Sequence, residues 1–183
     1  MTVECLTRRQ LLLGLSGAAV VTLLPNTAQA SRSTHGVKDL GFYNLHTGER
    51  SQGSFWVDGQ YQSDKLTEFN QVLRDHRQNL VAPMDKRLFE YLYKLQATLD
   101  NHAEIHVISA YRSPKTNQML ASRSNGVAKK SFHMKGMAMD IALPGVTTKQ
   151  LRDAAVSLKL GGVGFYPRDG FVHLDCGPVR RWG

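Results

Sequence analysis

Apolar residues recur at three- and four-residue intervals in three stretches of the chain, which predicts amphipathic helices. Asp64 and Asp85 stand at the start of the first two stretches, where their side chains are expected to cap the helices, and Pro83 separates the two. The third stretch runs from 148 to 160, and Gly161-Gly162 is expected to end it. The apolar positions are Leu66, Phe69, Val72 and Leu73; Leu88, Phe89, Leu92, Leu95 and Leu99; and Leu151, Ala155 and Leu158.

Shorter apolar segments between and after these stretches are typical of β-strands. A short helix is also expected at 115–122. Helices come first and strands dominate later, so the order predicts an α+β fold with a mainly antiparallel sheet and helices packed on one side. The strand segments are 42–45, 54–57, 104–111, 137–143, 163–166 and 171–176.

The N-terminus has a different pattern. Arg8-Arg9 precedes an apolar run from Leu11 to Leu24, and Ala28-Gln29-Ala30 follows it. This order predicts a twin-arginine signal peptide over residues 1–30, and hence a periplasmic protein. The run is short and interrupted by glycine and serine, which disfavours a membrane span, although an uncleaved N-terminal anchor is the alternative. The polar residues 31–39 are expected to form a loose linker before a single domain at 40–183.

Charge and cysteine content narrow the possible partners. The formal charge of the 183 residues is +8, and removal of the signal peptide, whose net charge is +1, leaves +7. A basic exported protein favours polyanions such as nucleic acid or an anionic cell-wall polymer. The chain has no recognition helix, RNP motif or aromatic–basic repeat, so nucleic acid is the weaker candidate. Cys5 lies in the signal peptide, which leaves Cys176 without an intrachain disulfide partner.

A first group of candidate functional residues surrounds His133. Asp140 follows in a predicted strand, on the same face as Ala138 and Ala142, whose small side chains leave room for an ion. Gly136 allows the intervening loop to fold back, so that His133 can meet Asp140. The alternative is that Asp140 only accepts a hydrogen bond from a nearby backbone group.

A second group lies in the predicted strand at 171–176. Strand alternation places His173 and Asp175 on one face, whereas Cys176 points the other way and is expected to be a small buried side chain rather than a ligand. With His133 and Asp140, His173 completes a set of two imidazoles and one carboxylate, which is typical of catalytic zinc. Asp175 is then placed to act as the general base.

A third group is Ser109-Ala110-Tyr111-Arg112-Ser113-Pro114, where a predicted strand runs into a turn. A guanidinium at a strand end can bind a substrate carboxylate through two parallel hydrogen bonds. Arg112 could instead polarise the scissile carbonyl. The alternative is a purely structural or ion-paired arginine.

Together these segments resemble a known group of enzymes. The pattern S-x-H-x-x-G-x-A-x-D from Ser131 to Asp140, followed by a late strand histidine, resembles the zinc peptidases related to D-alanyl-D-alanine carboxypeptidases and the hedgehog fold. The segment 109–113 is similar to the S-G-Y-R-S segment of that group, with Ala110 in place of glycine. The segments 44–49, 126–131 and 161–167 more closely resemble the murein endopeptidase K-like family. The resemblance covers residues 40–182.

The resemblance implies a hedgehog-like fold, one zinc ion on His133, Asp140 and His173, and peptidoglycan stem peptides as substrate. Tyr111 and Ser131 lie within the matching motifs and are expected to contact the substrate together with Arg112.

The chain departs from the family at the general base. Many relatives carry Glu or Asp three residues before the second histidine, where this chain has Gly170. Asp169 and Asp175 are therefore the two candidates, and the strand-face argument favours Asp175.

The leading hypothesis is an endopeptidase that cuts cross-links between stem peptides, at a bond involving meso-diaminopimelate, during cell-wall growth or remodelling. A carboxypeptidase that removes terminal D-alanine is a closely related alternative. A wall-binding module without catalysis is a third hypothesis, which the complete ligand set disfavours. A basic nucleic-acid binder is the fourth, and it predicts binding that weakens steeply with salt.

Overall fold

An eight-stranded sheet forms the centre of the computed structural model, which describes residues 36–124 and 126–183. The strands are β1 Val37–Asn44, β2 Arg50–Val57, β3 Gln60–Tyr61, β4 Ile105–Ser109, β5 Ala138–Ala142, β6 Gly162–Tyr166, β7 Phe171–Asp175 and β8 Arg180–Trp182. Their order across the sheet is β3-β2-β1-β4-β5-β7-β6-β8. The predicted signal peptide lies outside the described residues, and β1 begins within the predicted linker 31–39.

The sheet is mixed. Among these strands five neighbouring pairs are antiparallel, whereas β1–β4 and β6–β8 are parallel. The parallel β1–β4 pair follows from the long connection between the two strands, which holds two other strands and two helices and can return the chain in the same direction. The α+β class is therefore confirmed, and the sheet is mixed, with antiparallel pairs in the majority and two parallel pairs that the sequence did not predict.

Four helices and one 3-10 turn accompany the sheet in the described part of the chain: α1 Ser63–Val72, α2 Lys86–Leu99, α3 Pro114–Arg123, the turn Phe132–Lys135 and α4 Thr148–Leu158. Asp85 caps α2 through a 2.9 Å hydrogen bond from the Arg87 amide, as predicted. The predicted Asp64 cap is wrong, because Asp64 lies inside the first turn of α1, which starts after Gln62. None of the helices in these ranges is long and apolar enough to cross a membrane.

The end of α4 also differs from the prediction. The left-handed residue that terminates α4 is Lys159, not the glycine pair. Gly161 is needed for another reason: a Cβ there would lie 1.7 Å from the carbonyl oxygen of Asp175. The glycine pair therefore permits close strand contact rather than helix termination.

The core lies between one face of the sheet and the helices. Phe42 of β1 packs against Phe69 of α1 and Phe89 of α2, with ring centroids 4.9 and 6.1 Å apart. The predicted inner residues of α1 and α2 are buried there, apart from the partly buried Leu99. Helices α1, α2 and α4 thus cover the apolar face of the sheet, and the opposite face of β5 and β7 carries the polar residues considered next.

Candidate active site

Strands β5 and β7 place two predicted ligands directly opposite each other. Asp140 pairs with His173 in the antiparallel register. Val172 and Leu174 belong to the core cluster, so His173 between them points to the other face. Cys176 packs partly buried against the core, and burial raises the pKa of its thiol to about 12, so it stays protonated and does not offer a thiolate.

The third predicted ligand reaches the site on the 3-10 turn. The Ser131 hydroxyl accepts a 3.3 Å hydrogen bond from the His133 amide and caps this turn. Gly136 ends it with a φ of 65°, and a Cβ at that position would lie 2.4 Å from the Pro83 carbonyl oxygen. Only glycine combines this backbone conformation with so close an approach, and the turn brings His133 over β5 and β7.

The three side chains converge on a small triangle of donor atoms. His173 Nδ1 lies 2.8 Å from Asp140 Oδ1 and 3.2 Å from His133 Nε2. The third edge, from His133 Nε2 to Asp140 Oδ1, measures 3.3 Å. In a tetrahedral zinc site with bonds of about 2.0–2.1 Å, neighbouring donors are about 3.3 Å apart. Two imidazoles and one carboxylate at this spacing fit a zinc ion.

The outer nitrogens of both imidazoles have oxygen partners. His133 Nδ1 lies 2.6 Å from the Ala110 carbonyl oxygen, and His173 Nε2 lies 3.1 Å from Asp175 Oδ2. Protons on these outer nitrogens leave the inner nitrogens with lone pairs that face the donor triangle. Such outer contacts fix the tautomer and the ring orientation of a metal-binding histidine.

The electrostatics favour a charged carboxylate beside a neutral imidazole. Burial raises the pKa of Asp140, but His133 and His173 outweigh this effect and hold the pKa well below its ordinary value. Burial also lowers the pKa of His133, against the attraction of Asp140. For His173 burial again lowers the pKa, but its hydrogen bonds with Asp140 and Asp175 prevail and the net pKa is raised. A neutral His133 and an ionised Asp140 are the states in which these groups bind metal.

Arg112 lies beside this triangle and holds its carboxylate. Its Nη2 donates a 2.8 Å hydrogen bond to Asp140 Oδ2, and its Nε donates one of 2.9 Å to Ser109 Oγ. Asp140 Oδ1 therefore faces the two histidines, and Asp140 Oδ2 binds Arg112. Of the residues expected to contact substrate, Arg112 and Ser131 line the site's cavity, whereas Tyr111 does not.

The two candidate general bases have different surroundings. Asp175 is fully buried, does not line the cavity, and accepts hydrogen bonds from Arg180 at 2.9 and 2.6 Å and from the Gly177 amide at 2.8 Å. Burial raises the pKa of Asp175, but its hydrogen bonds with His173 and Arg180 hold it well below its ordinary value. Asp169 is exposed and lines the cavity.

A cavity of about 440 Å³ opens over the triangle. An aromatic group forms part of its wall: Tyr166 and Phe171 stack at 4.6 Å, and Trp182 Nε1 donates a 2.9 Å hydrogen bond to the Tyr166 hydroxyl. The Trp182 ring also lies 5.3 Å from His173. Sequence reasoning missed these aromatic residues and Arg180 as parts of the site, although Tyr166 falls in one of the segments that carry the family resemblance.

The sequence does carry one indication of these residues, namely the spacing of the glycines in β6, which indicates that another segment packs closely against this strand. A Cβ at Gly164 would lie 2.7 Å from the Trp182 ring, and one at Gly162 would lie 2.5 Å from Asp175 Oδ2 and 2.3 Å from Arg180 Nη1. These glycines leave space for the C-terminal strand β8 to place its side chains next to the site.

Comparison with known proteins identifies the family. The family model described as "Peptidoglycan L,D-endopeptidase MepK" matches residues 32–182. The chain belongs to this family. It is 44% identical over 175 residues to peptidoglycan L,D-endopeptidase MepK of Escherichia coli K12. This alignment covers 95% of this chain and 96% of the relative. It is 42% identical over 172 residues to the probable peptidoglycan L,D-endopeptidase MepK of Haemophilus influenzae, with 93% and 92% covered.

Family membership makes the chain a peptidase, as expected from its motifs. No solved structure matches the chain, so the hedgehog-like fold stays a prediction.

Proposed function

We propose that this protein is a zinc-dependent endopeptidase that hydrolyses L,D peptide cross-links of peptidoglycan during cell-wall growth or remodelling. The observation that carries the proposal is the donor triangle of His133, Asp140 and His173 beneath an open cavity. The relatives named as peptidoglycan L,D-endopeptidases support the substrate and the bond type. Because meso-diaminopimelate has one L and one D centre, it is the expected residue at the cleaved bond.

One zinc ion per chain would be held by His133 Nε2, His173 Nδ1 and Asp140 Oδ1. When bound at such a site, zinc polarises the scissile carbonyl and makes water a stronger nucleophile. Arg112 fixes the second oxygen of Asp140, and Asp175 fixes the outer nitrogen of His173. Both contacts keep the ligands oriented while substrate enters.

Hydrolysis also needs an acceptor for the proton of the attacking water. Asp175 is enclosed by Arg180 and Gly177, so its geometry supports the positioning of His173 rather than direct contact with water. Asp169 lines the cavity, and this supports it over Asp175 for proton transfer.

Digestion of purified sacculi, with and without a chelator, tests the proposed function. After subsequent digestion with a muramidase, sacculi treated with the zinc-loaded protein should yield un-cross-linked muropeptides whose masses show cleavage at the L,D bond, and sacculi treated with the chelated protein should keep their cross-linked dimers. The His173→Ala protein is the matched control for contaminating hydrolases. Release of D-alanine alone would indicate a carboxypeptidase, and binding to sacculi whose cross-links all stay intact would indicate a wall-binding module.

We also propose export to the periplasm by the twin-arginine route, on the basis of Arg8-Arg9 and the apolar run that follows. Replacement of both arginines with lysine should leave precursor in the cytoplasm. Normal amounts of mature protein outside the inner membrane would contradict this route.

A further inference from the structure

Besides the two histidines of the donor triangle, three basic side chains line the active-site cavity within the described residues: Arg112, Lys130 and Arg180. Two of them already have carboxylate partners, since Arg112 is bonded to Asp140 and Arg180 to Asp175. Lys130 is exposed and makes no ion pair among the contacts of residues 36–124 and 126–183. It is therefore the cavity's available cation for an incoming anionic group.

The backbone around Lys130 is held on both sides. The side-chain amide of Asn117 in α3 donates a 3.1 Å hydrogen bond to the Ala128 carbonyl oxygen. On the other side, Ser131 caps the turn that carries His133. The backbone of Lys130 is thus fixed by contacts with α3 and with the turn that carries His133. Its long side chain can still reach into the cavity.

The substrate of the proposed function presents a matching group. In an L,D cross-link through diaminopimelate, the amine of the scissile amide is attached to a D carbon, and the same carbon carries a free carboxylate. This carboxylate must therefore enter the cavity with the scissile bond. Binding of such a carboxylate was one of the roles expected for Arg112 from the sequence, but that guanidinium is already bonded to Asp140 and Ser109.

We propose that Lys130 binds the free carboxylate of the residue that supplies the amine of the cross-link, and so selects cross-links with a free acid over amidated ones. This inference rests on the proposed function. A lysine suits the task because its ammonium can pair with a carboxylate from several directions.

Lys129 provides a matched control. It has the same charge and is the adjacent residue, but it lines a different cavity, together with Pro114 and Met134. Lys129→Met therefore removes the same net charge from the same segment without changing the active-site wall.

The experiment measures kcat and KM for the zinc-loaded wild type, Lys130→Met, Lys130→Arg and Lys129→Met. Two purified cross-linked muropeptides serve as substrates, identical except that the carboxylate beside the scissile bond is free in one and amidated in the other. For Lys130→Met, kcat/KM on the free acid should fall by about ten- to a hundredfold, mainly through KM, and change by less than about threefold on the amidated substrate. Lys130→Arg should keep most of the preference, and Lys129→Met should match the wild type on both.

Equal losses on both substrates for Lys130→Met would overturn the inference, as would unchanged kinetics or the same loss of preference in Lys129→Met. Wild-type protein with full zinc that cleaves neither substrate would instead overturn the proposed function, and the inference with it. The rate at which the wild-type protein cleaves the two substrates therefore distinguishes a failure of the proposed function from a failure of the Lys130 inference alone.

Discussion

The two faces of β5 and β7 differ in how they contribute to the site. On the core face, Met139, Ile141, Val172 and Leu174 are at most 1% exposed and pack with the helices. On the other face the same strands carry polar groups connected by short hydrogen bonds. The apolar face fixes the register, because a slip by one residue would exchange the two faces. The polar face then depends on individual hydrogen bonds for orientation, so the two faces should fail in different ways when they are mutated.

The largest effect is expected when a member of the donor triangle is removed. His133→Ala, Asp140→Ala and His173→Ala should each abolish hydrolysis and lower zinc content from about one per chain, because two remaining ligands hold the ion poorly. Elemental analysis of the purified proteins, together with the sacculus assay, measures both. Unchanged zinc in all three variants would contradict the assignment of the site.

Arg112→Lys should have the next largest effect on the polar face. Lysine keeps the charge but cannot bond Asp140 and Ser109 with the fixed geometry of a guanidinium. We expect kcat/KM to fall by about ten- to a thousandfold, the scale of one or two charge-assisted hydrogen bonds. The loss should be the same for free-acid and amidated substrates, in contrast to Lys130→Met. A loss confined to the free acid would mean that Arg112 itself binds the substrate carboxylate.

Asp175→Asn should weaken zinc binding without removing a ligand. The outer nitrogen of His173 would lose its carboxylate partner, and such changes typically cost about 10–100-fold in metal affinity or activity. Competition with a zinc chelator gives the affinity. Asp169→Asn, at an exposed aspartate of the same cavity, is the control and should keep wild-type zinc affinity. Equal zinc affinity in wild type and Asp175→Asn would contradict the positioning role.

The smallest effect on catalysis is expected from the core face. Leu174→Ala lies next to His173 but removes a fully buried side chain, and it should lower the free energy of unfolding by about 2–5 kcal/mol. Urea denaturation measures the loss. At temperatures where the variant is folded, its zinc content and kcat/KM should stay within about twofold of wild type, as for a mutation that changes stability alone. Loss of zinc in the folded variant would show that the two faces are not separable.

The contrast between the faces also explains what the sequence could predict. Alternation along β5 and β7 placed Asp140 and His173 on one face, and the structure brings both together with His133. These positions follow from local periodicity and a glycine. Arg180 and Trp182 were missed because β8 is a three-residue, exposed strand without an apolar pattern. Their position depends on a parallel pairing with β6, which local patterns do not encode.

The same reason applies to the two aspartates. Strand alternation correctly placed Asp175 beside His173, but the partner that encloses it, Arg180, comes from β8. The strand face on which Asp175 lies therefore did not determine whether its carboxylate is accessible to water. The parallel β1–β4 pair was missed in a similar way, since the direction of β1 relative to β4 is set by a long connection rather than by either strand.

Zinc titration of the metal-free protein, with a purified L,D-cross-linked muropeptide dimer as substrate, tests the central claim most directly. If the polar face of β5 and β7 holds the catalytic metal together with His133, the rate of dimer cleavage should rise linearly to one zinc per chain and then level off. The two products should have the masses expected for hydrolysis of the L,D amide. Full activity before zinc is added, or an intact dimer at full zinc occupancy, would contradict the account.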